Sequence, residues 1–234
     1  MKAIMETEDV RYRYPGIGEE ALSGLSMRIP EGRKVAICGE NGCGKSTLFL
    51  HAIGILRPTS GRLTWRGQPI GYDRASLGAL RRRVGLVFQD PEHQLILNTP
   101  REDISYGLRN LGLAEAEIRE RADRIVEKMG LADLAGLPTH HLSLGQKKRV
   151  ALAGVLALEP ELLLLDEATA YLDRRSERAL LAELDDACRR GVTVAMATHD
   201  MNVAYSWADW VLVMDKGRCA MAGPPHEVFS REEE

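Results

Sequence analysis

Apolar and polar positions follow three regimes along the chain. Near the amino end, Val10, Tyr12 and Tyr14 alternate with Arg11 and Arg13. That two-residue period predicts a half-exposed strand, closed by Pro15 and Gly16. A second strand is predicted over 25–29, with a turn at Glu31-Gly32, and a short apolar strand over 34–38. A glycine-rich loop over 39–44 then leads into a helix predicted from about 45 to 56. In the middle of the chain the period becomes helical. Ile104, Leu108 and Leu111 recur within 99–111, and Ile118, Ala122, Ile125 and Met129 within 114–129. Gly130 and Gly136 interrupt the pattern, and 144–158 is helical again. The last third alternates strand and helix. Residues 162–165 form a continuous leucine run of the kind buried in a parallel sheet. An amphipathic helix over 174–190, with Leu180, Leu184, Ala187 and Cys188 on one face, precedes strands over 193–197 and 210–214. Such alternation predicts an α/β sheet whose ligand sits at the carboxyl ends of its strands. The chain reads as a single domain over 1–234, with a helical subdomain inserted at about 90–158.

Composition narrows the function classes. A net charge of -3 offers no basic field for nucleic acid, so none is expected as a partner. The run Arg81-Arg82-Arg83 reads as a solvated helix face. The longest apolar stretch, 150–158, falls short of a membrane span, and the charged first ten residues do not resemble a secretory signal. Four cysteines without CxxC spacing fit reduced thiols rather than disulfides or a zinc site. The expected location is therefore the cytosol, with any membrane contact made through another protein.

Two segments carry chemistry. Gly39-Glu40-Asn41-Gly42-Cys43-Gly44-Lys45-Ser46 matches the phosphate-binding pattern GxxxxGK[ST]. Glycines let successive backbone N–H groups wrap a phosphate, and the following helix turns its N-terminal dipole toward the anion. Lys45 would neutralise the β and γ phosphates of ATP, and the Ser46 hydroxyl, next to Thr47, would bind Mg²⁺. Cys43 is either a small residue turned away from the phosphates or a thiol made reactive by Lys45 and the helix end. The second segment is the leucine run ending in Asp166 and Glu167. Two charges at the end of so apolar a strand must face a polar site. Beside a phosphate loop, Asp166 suits Mg²⁺ and Glu167 suits polarising an attacking water.

With these in place, Leu142-Ser143-Leu144-Gly145-Gln146 resembles the LSGGQ signature of the nucleotide-binding domains of ABC ATPases, which phosphate-loop kinases and GTPases lack. The resemblance covers essentially the whole chain. It implies a RecA-like P-loop NTPase core with an N-terminal antiparallel β-subdomain and an inserted helical subdomain. It further implies that Ser143, Leu144, Gly145 and Gln146 meet the γ-phosphate held by an opposite subunit. By the same resemblance Tyr14 stacks on adenine, with Tyr12 as its rival; Gln89 senses Mg²⁺ and the attacking water; His199 contacts the γ-phosphate; and Leu172-Asp173 crosses the dimer interface. Leu144 replaces a signature glycine, Ala168 a proline and Tyr171 a small residue, departures that remove no catalytic group. Both half-sites are complete, which permits a homodimer, a heterodimer being the alternative.

The middle of the chain is more specific. Residues 87–95, 102–107 and 146–151 are similar to ATPases of energy-coupling factor transporters. His140-His141-Leu142 and residues 153–157 resemble the cobalt or nickel uptake branch within that group. This implies a peripheral ATPase on the cytoplasmic face of the membrane, importing a metal ion or a vitamin through integral membrane subunits. Those subunits would contact the helical subdomain near residues 89–97, with Asp90 and Glu92 as acceptors for an arginine, or else as members of a solvated turn. The adjacent His140 and His141 read as structural, since a metal site needs three or four convergent ligands. The competing readings are a non-transport ABC ATPase of DNA repair or translation, and a P-loop kinase or switch. The first lacks its usual second ATPase domain, coiled coil or basic extension in this sequence, and the signature-like segment with His199 argues against the second.

Overall fold

A computed structural model describes residues 2–230; Met1 and 231–234, the ends of the expected domain, lie outside the described residues. The chain folds into two sheets. The first strand, β1 (Ala3–Tyr12), pairs antiparallel with β2 (Leu22–Pro30) and with β4 (Ser60–Trp65), which carries the short β5 (Gln68–Pro69) at its edge. The second sheet has the order β10-β9-β3-β8-β7-β6: β10 is Arg218–Gly223, β9 Trp210–Asp215, β3 Lys34–Cys38, β8 Thr193–Ala197, β7 Leu162–Asp166 and β6 Val84–Val87. All its pairings are parallel except β10 with β9. This is the α/β core with an antiparallel sheet that the sequence implied.

The leucine run shows why a parallel strand needs no polar face. Leu163 and Leu165 enter one core with Val194 and Met196 of β8, packed under helices. Leu162 and Leu164 enter a second core with Ile4, Val10 and Leu25 of the antiparallel sheet. Both faces of β7 are covered, and all five of its residues are buried.

Three helices lie in the chain between β6 and β7: α3 (Pro100–Asn110), α4 (Glu115–Lys128) and α5 (Leu144–Leu156). Thr99 and Glu102 form a capping box at the start of α3. The other helices are α1 (Lys45–Ala52), α2 (Arg74–Arg81), α6 (Arg174–Arg189), α7 (Met201–Trp207) and α8 (Pro225–Phe229). Among the described residues no helix is long and apolar enough to cross a membrane. All four cysteines are free.

Several boundaries differ from the sequence expectation. The first strand begins at Ala3 and ends at Tyr12, leaving Tyr14 beyond it. A bulge explains the shift: Asp9 has φ 45° and the pairing slips on either side of Val10, so the two-residue period breaks. Helix α1 stops at Ala52 rather than 56, because the chain reverses through Gly54 at φ 66°. Of the Arg81–Arg83 run, Arg82 stays exposed, while Arg81 donates to the carbonyls of Ile53 and Gly54, both at 3.0 Å, and ties α2 to that reversal.

Candidate functional site

Four adjacent strands of the parallel sheet, β3, β8, β7 and β6, end on one side. The phosphate loop follows β3, His199 follows β8, Asp166 and Glu167 end β7, and Gln89 follows β6. Motifs far apart in sequence therefore become neighbours at the carboxyl ends of the strands, where a parallel sheet places its ligand. Residues 40–47, Cys43 excepted, line a single cleft of about 620 Å³ with Gln89, Glu167, Tyr171 and His199.

The loop is shaped by close approach. Gly39 has φ 149°, and a Cβ there would lie 2.3 Å from the Met214 carbonyl oxygen, so only glycine fits. Lys45 is buried, and its Nζ donates to the carbonyls of Gly39 at 2.7 Å and Glu40 at 3.0 Å. The ammonium is thus held inside the loop, where an incoming phosphate would compete for it. Ser46, Glu40, Asn41 and Gly42 are on the open side. Cys43 is buried, its Sγ 3.8 Å from Lys45 Nζ, so the thiol turns into the protein and is shielded from reagents.

Opposite the loop stand the two acids. Asp166 is 8% exposed. Burial pushes its carboxyl above the usual carboxylate range; the Ser46 hydroxyl pulls it down, the Glu167 charge pushes it up, and Lys45 pulls it down again. Among the described residues no three His, Cys, Asp or Glu side chains are arranged to hold a metal. The Asp166 carboxylate beside the Ser46 hydroxyl is a pair of oxygen donors that would suit Mg²⁺, an ion that takes oxygen ligands and keeps several waters.

Glu167 leaves β7 with φ 46°, a left-handed turn unusual for its residue type. Its side chain is 11% exposed and sits between two partners. Gln89 Nε2 donates to Oε2 at 3.0 Å, and His199 Nδ1 lies 3.6 Å from the same oxygen. Both contacts use one carboxylate oxygen and leave Oε1 as the one to offer to a water.

Other sequence candidates lie outside this cleft. Tyr14 is half-buried and its hydroxyl is 3.2 Å from Thr47 Oγ1, at the edge of the loop. Tyr12 packs edge-on against both Tyr14 and His51, centroids 5.0 and 4.7 Å apart, so its ring belongs to the core contact beneath. Ser143 caps α5: its hydroxyl accepts from Gln146 N at 3.3 Å, and Gln146 Oε1 accepts from Ser143 N at 2.8 Å. Leu144, Gly145 and Gln146 form the first turn of that helix, with Leu144 40% exposed and clear of its own chain's cleft. Asp173 caps α6 by accepting from Ser176 N at 2.8 Å. Asp90 caps the turn Pro91–His93, accepting from Glu92 N at 2.9 Å, while Glu92 pairs with Lys147. The rings of His140 and His141 stack edge to face.

Two residues near the site carried no such role in the sequence. Tyr171 lines the cleft although sequence reasoning treated it only as a departure. Lys148 is buried and donates to the carbonyls of Glu167 and Ala170. Its signal was its place four residues before Leu152 on the inward face of a helix.

Comparison with known proteins agrees with this geometry. A family model described as ABC transporter matches residues 22–170. The energy-coupling factor transporter ATP-binding protein EcfA of Methanocaldococcus jannaschii is 44% identical over 227 residues, covering 97% of this chain and 81% of that protein. The structure of CbiO1 from Clostridium perfringens, described as part of the ABC transporter complex CbiONQ, superposes with a TM-score of 0.89 at 43% identity, covering 100% of this chain and 93% of that one. A dimeric post-hydrolysis structure of the ATP-binding cassette MJ0796, bound to ADP and Pi, gives 0.85 at 27% identity, covering 94% and 98%. With a family match over more than half its length and relatives this similar from end to end, the chain belongs to the ABC transporter family and is one of its ATP-hydrolysing, ATP-binding subunits.

Proposed function

We propose that this chain energises an energy-coupling-factor-type importer of cobalt or nickel ions, as a peripheral subunit on the cytoplasmic face of the membrane. The observation that carries the ATPase site is the convergence of Lys45, Ser46, Gln89, Glu167 and His199 on one cleft from which Ser143–Gln146 are absent. A cleft that lacks its own signature is complete only when a second copy supplies one.

In this reading the backbone of Gly39 to Thr47 wraps the phosphates, Lys45 neutralises the β and γ groups, and Tyr14 stacks on adenine. Ser46, Gln89 and Asp166 would hold Mg²⁺, which would supply positive charge against the phosphates. Glu167 Oε1 accepts a proton from water as its oxygen bonds to the γ-phosphorus, and the bond to the β-phosphate oxygen breaks to leave ADP. Gln89 fixes the orientation of Glu167, and His199 contacts the γ-phosphate. Leu144 offers its backbone N–H at the start of α5, and Asp173 lies at the crossing between the subunits. Membrane subunits engage the surface near residues 89–97. ATP drives the cycle only through its higher affinity for the closed dimer.

Glu167→Gln is expected to keep ATP binding and lose about 10²–10⁴ of turnover. Undiminished steady-state hydrolysis by that variant would remove Glu167 from the role. The metal cargo rests on the likeness of His140-His141-Leu142 and residues 153–157 to the cobalt or nickel branch. The relative named for an energy-coupling factor carries no cargo in its name, so a vitamin or other small solute is the second reading. Uptake of labelled cobalt or nickel by cells expressing this chain with its neighbouring membrane genes separates the two: uptake abolished by Glu167→Gln assigns the metal, and none with the intact chain assigns another solute.

A further inference from the structure

Lys148 carries a buried charge that the chemistry above does not use. It lies on the second turn of α5 and is 2% exposed. Burial pulls its pKa below the ordinary lysine value, with the Glu167 and Asp90 charges acting the other way. An ammonium taken out of water is costly unless its protons are engaged. Here they go to two carbonyl oxygens, Glu167 at 3.2 Å and Ala170 at 2.7 Å, rather than to a carboxylate partner. Both acceptors belong to the turn that leaves β7.

That turn is the strained part of the site. Glu167 holds φ 46°, and a side-chain-bearing residue persists there only when its surroundings over-determine it. Its N–H donates to the Ala197 carbonyl at 3.1 Å, and its own carbonyl accepts from Ala170 N at 3.0 Å as well as from Lys148. The Ala197 contact comes from β8 and the Ala170 contact from within the turn. Lys148 is the side chain that fastens the turn to a helix.

We propose that Lys148 is a positioning residue for ATP hydrolysis, holding the 167–170 turn so that the Glu167 carboxylate stays between Gln89 and His199. Without the ammonium the Ala170 carbonyl loses its donor, and the turn is free to relax toward negative φ and carry the carboxylate away. Because α5 begins with Ser143–Gln146, the same tie joins the signature segment of a subunit to that subunit's own Glu167. The proposal rests on Glu167 being the base, as read above.

The test is a double-mutant cycle on the full chain, with Lys148→Met, Glu167→Gln and the pair, followed by steady-state Mg·ATP hydrolysis, ATP binding and thermal melting. Lys148→Met should lower kcat by about 10- to 100-fold while KM and ATP affinity stay within about twofold. In the Glu167→Gln background the same change should alter hydrolysis less than about twofold, because the group it positions is already gone. Lys148→Gln, which keeps an N–H donor, should fall between Lys148→Met and the parent. A lysine that only props up the fold would lower the melting temperature equally in both backgrounds and cut hydrolysis by the same factor in each; that additivity overturns the proposal, as does unchanged kcat in Lys148→Met. If Lys148→Met does not fold, Lys148→Gln carries the same comparison. Should Glu167→Gln itself hydrolyse normally, the assignment of the base fails, separately from the tie.

Discussion

His51 illustrates how an individual residue trades exposure for packing. It lies in the last turn of α1, the helix that follows the phosphate loop, fully buried, with Nδ1 2.7 Å from the Thr47 carbonyl and its ring edge-on to Tyr12. Its Nε2 is buried without a partner among the described residues. Burial lowers its pKa from the ordinary 6.5, the Thr47 carbonyl acting against that shift. The folded state therefore binds this proton less readily than the unfolded chain does. Stability contributed by neutral His51 is complete above the ordinary value and is lost as pH falls from 6.5 toward the lowered folded value. The slope from this group is at most about 1.4 kcal/mol per pH unit. Melting curves of the parent and of His51→Gln between neutral and mildly acidic pH should draw together as pH falls. A gap that stays constant would show that His51 does not titrate across unfolding. Tyr12, its neighbour, is in sequence the rival to Tyr14 as an adenine platform. Contact with His51 commits Tyr12 to packing and leaves Tyr14 at the loop's edge.

Among the elements, α5 has the most to coordinate. It is capped by its own signature serine, it carries Lys148, and it packs on β6. Gly85 in β6 permits that last contact: a Cβ there would sit 2.2 Å from Val155 Cγ1. Gly85→Ala should therefore cost about 1–3 kcal/mol by overpacking, read as a lower midpoint in chemical denaturation. Val155→Ala in the same chain should recover most of that loss. If the single variant is as stable as the parent, β6 and α5 are not in the contact described. The element also explains where sequence patterns faded. Strands β4, β5 and β10 and helices α2, α7 and α8 were not anticipated. They are short, and β4 begins with three exposed residues, so no two-residue period develops there, while α2 is amphipathic but only eight residues long. The long α3, α4 and α6 were anticipated to within about a turn because each shows a full amphipathic face and clear boundary residues.

For the whole molecule, the decisive fact is that the signature segment stays out of its own cleft. Two chains related head to tail would complete both sites, and the similar cassette MJ0796 has been solved as a dimer. Glu167→Gln saturated with Mg·ATP should sediment as a dimer and return to a monomer when nucleotide is removed. Strictly single chains under those conditions, alone and with the membrane subunits, would end the two-site reading. The sequence by itself named the candidate chemistry-bearing residues: glycine spacing and the acids ending a leucine strand are local patterns set by backbone reach and charge burial, and the signature-like segment stood out by its resemblance to a family motif. It also determined the alternation that makes an α/β fold. Only the tertiary structure decided which of those residues meet. The strand order β3-β8-β7-β6 sets Gln89, Glu167 and His199 side by side although long stretches of chain separate them, and the fold buries Lys148 against the carbonyls of Glu167 and Ala170. The physical reason is that strand pairing and burial are long-range: local sequence sets what a side chain can do, and neighbours brought in from elsewhere in the chain set what it has to do.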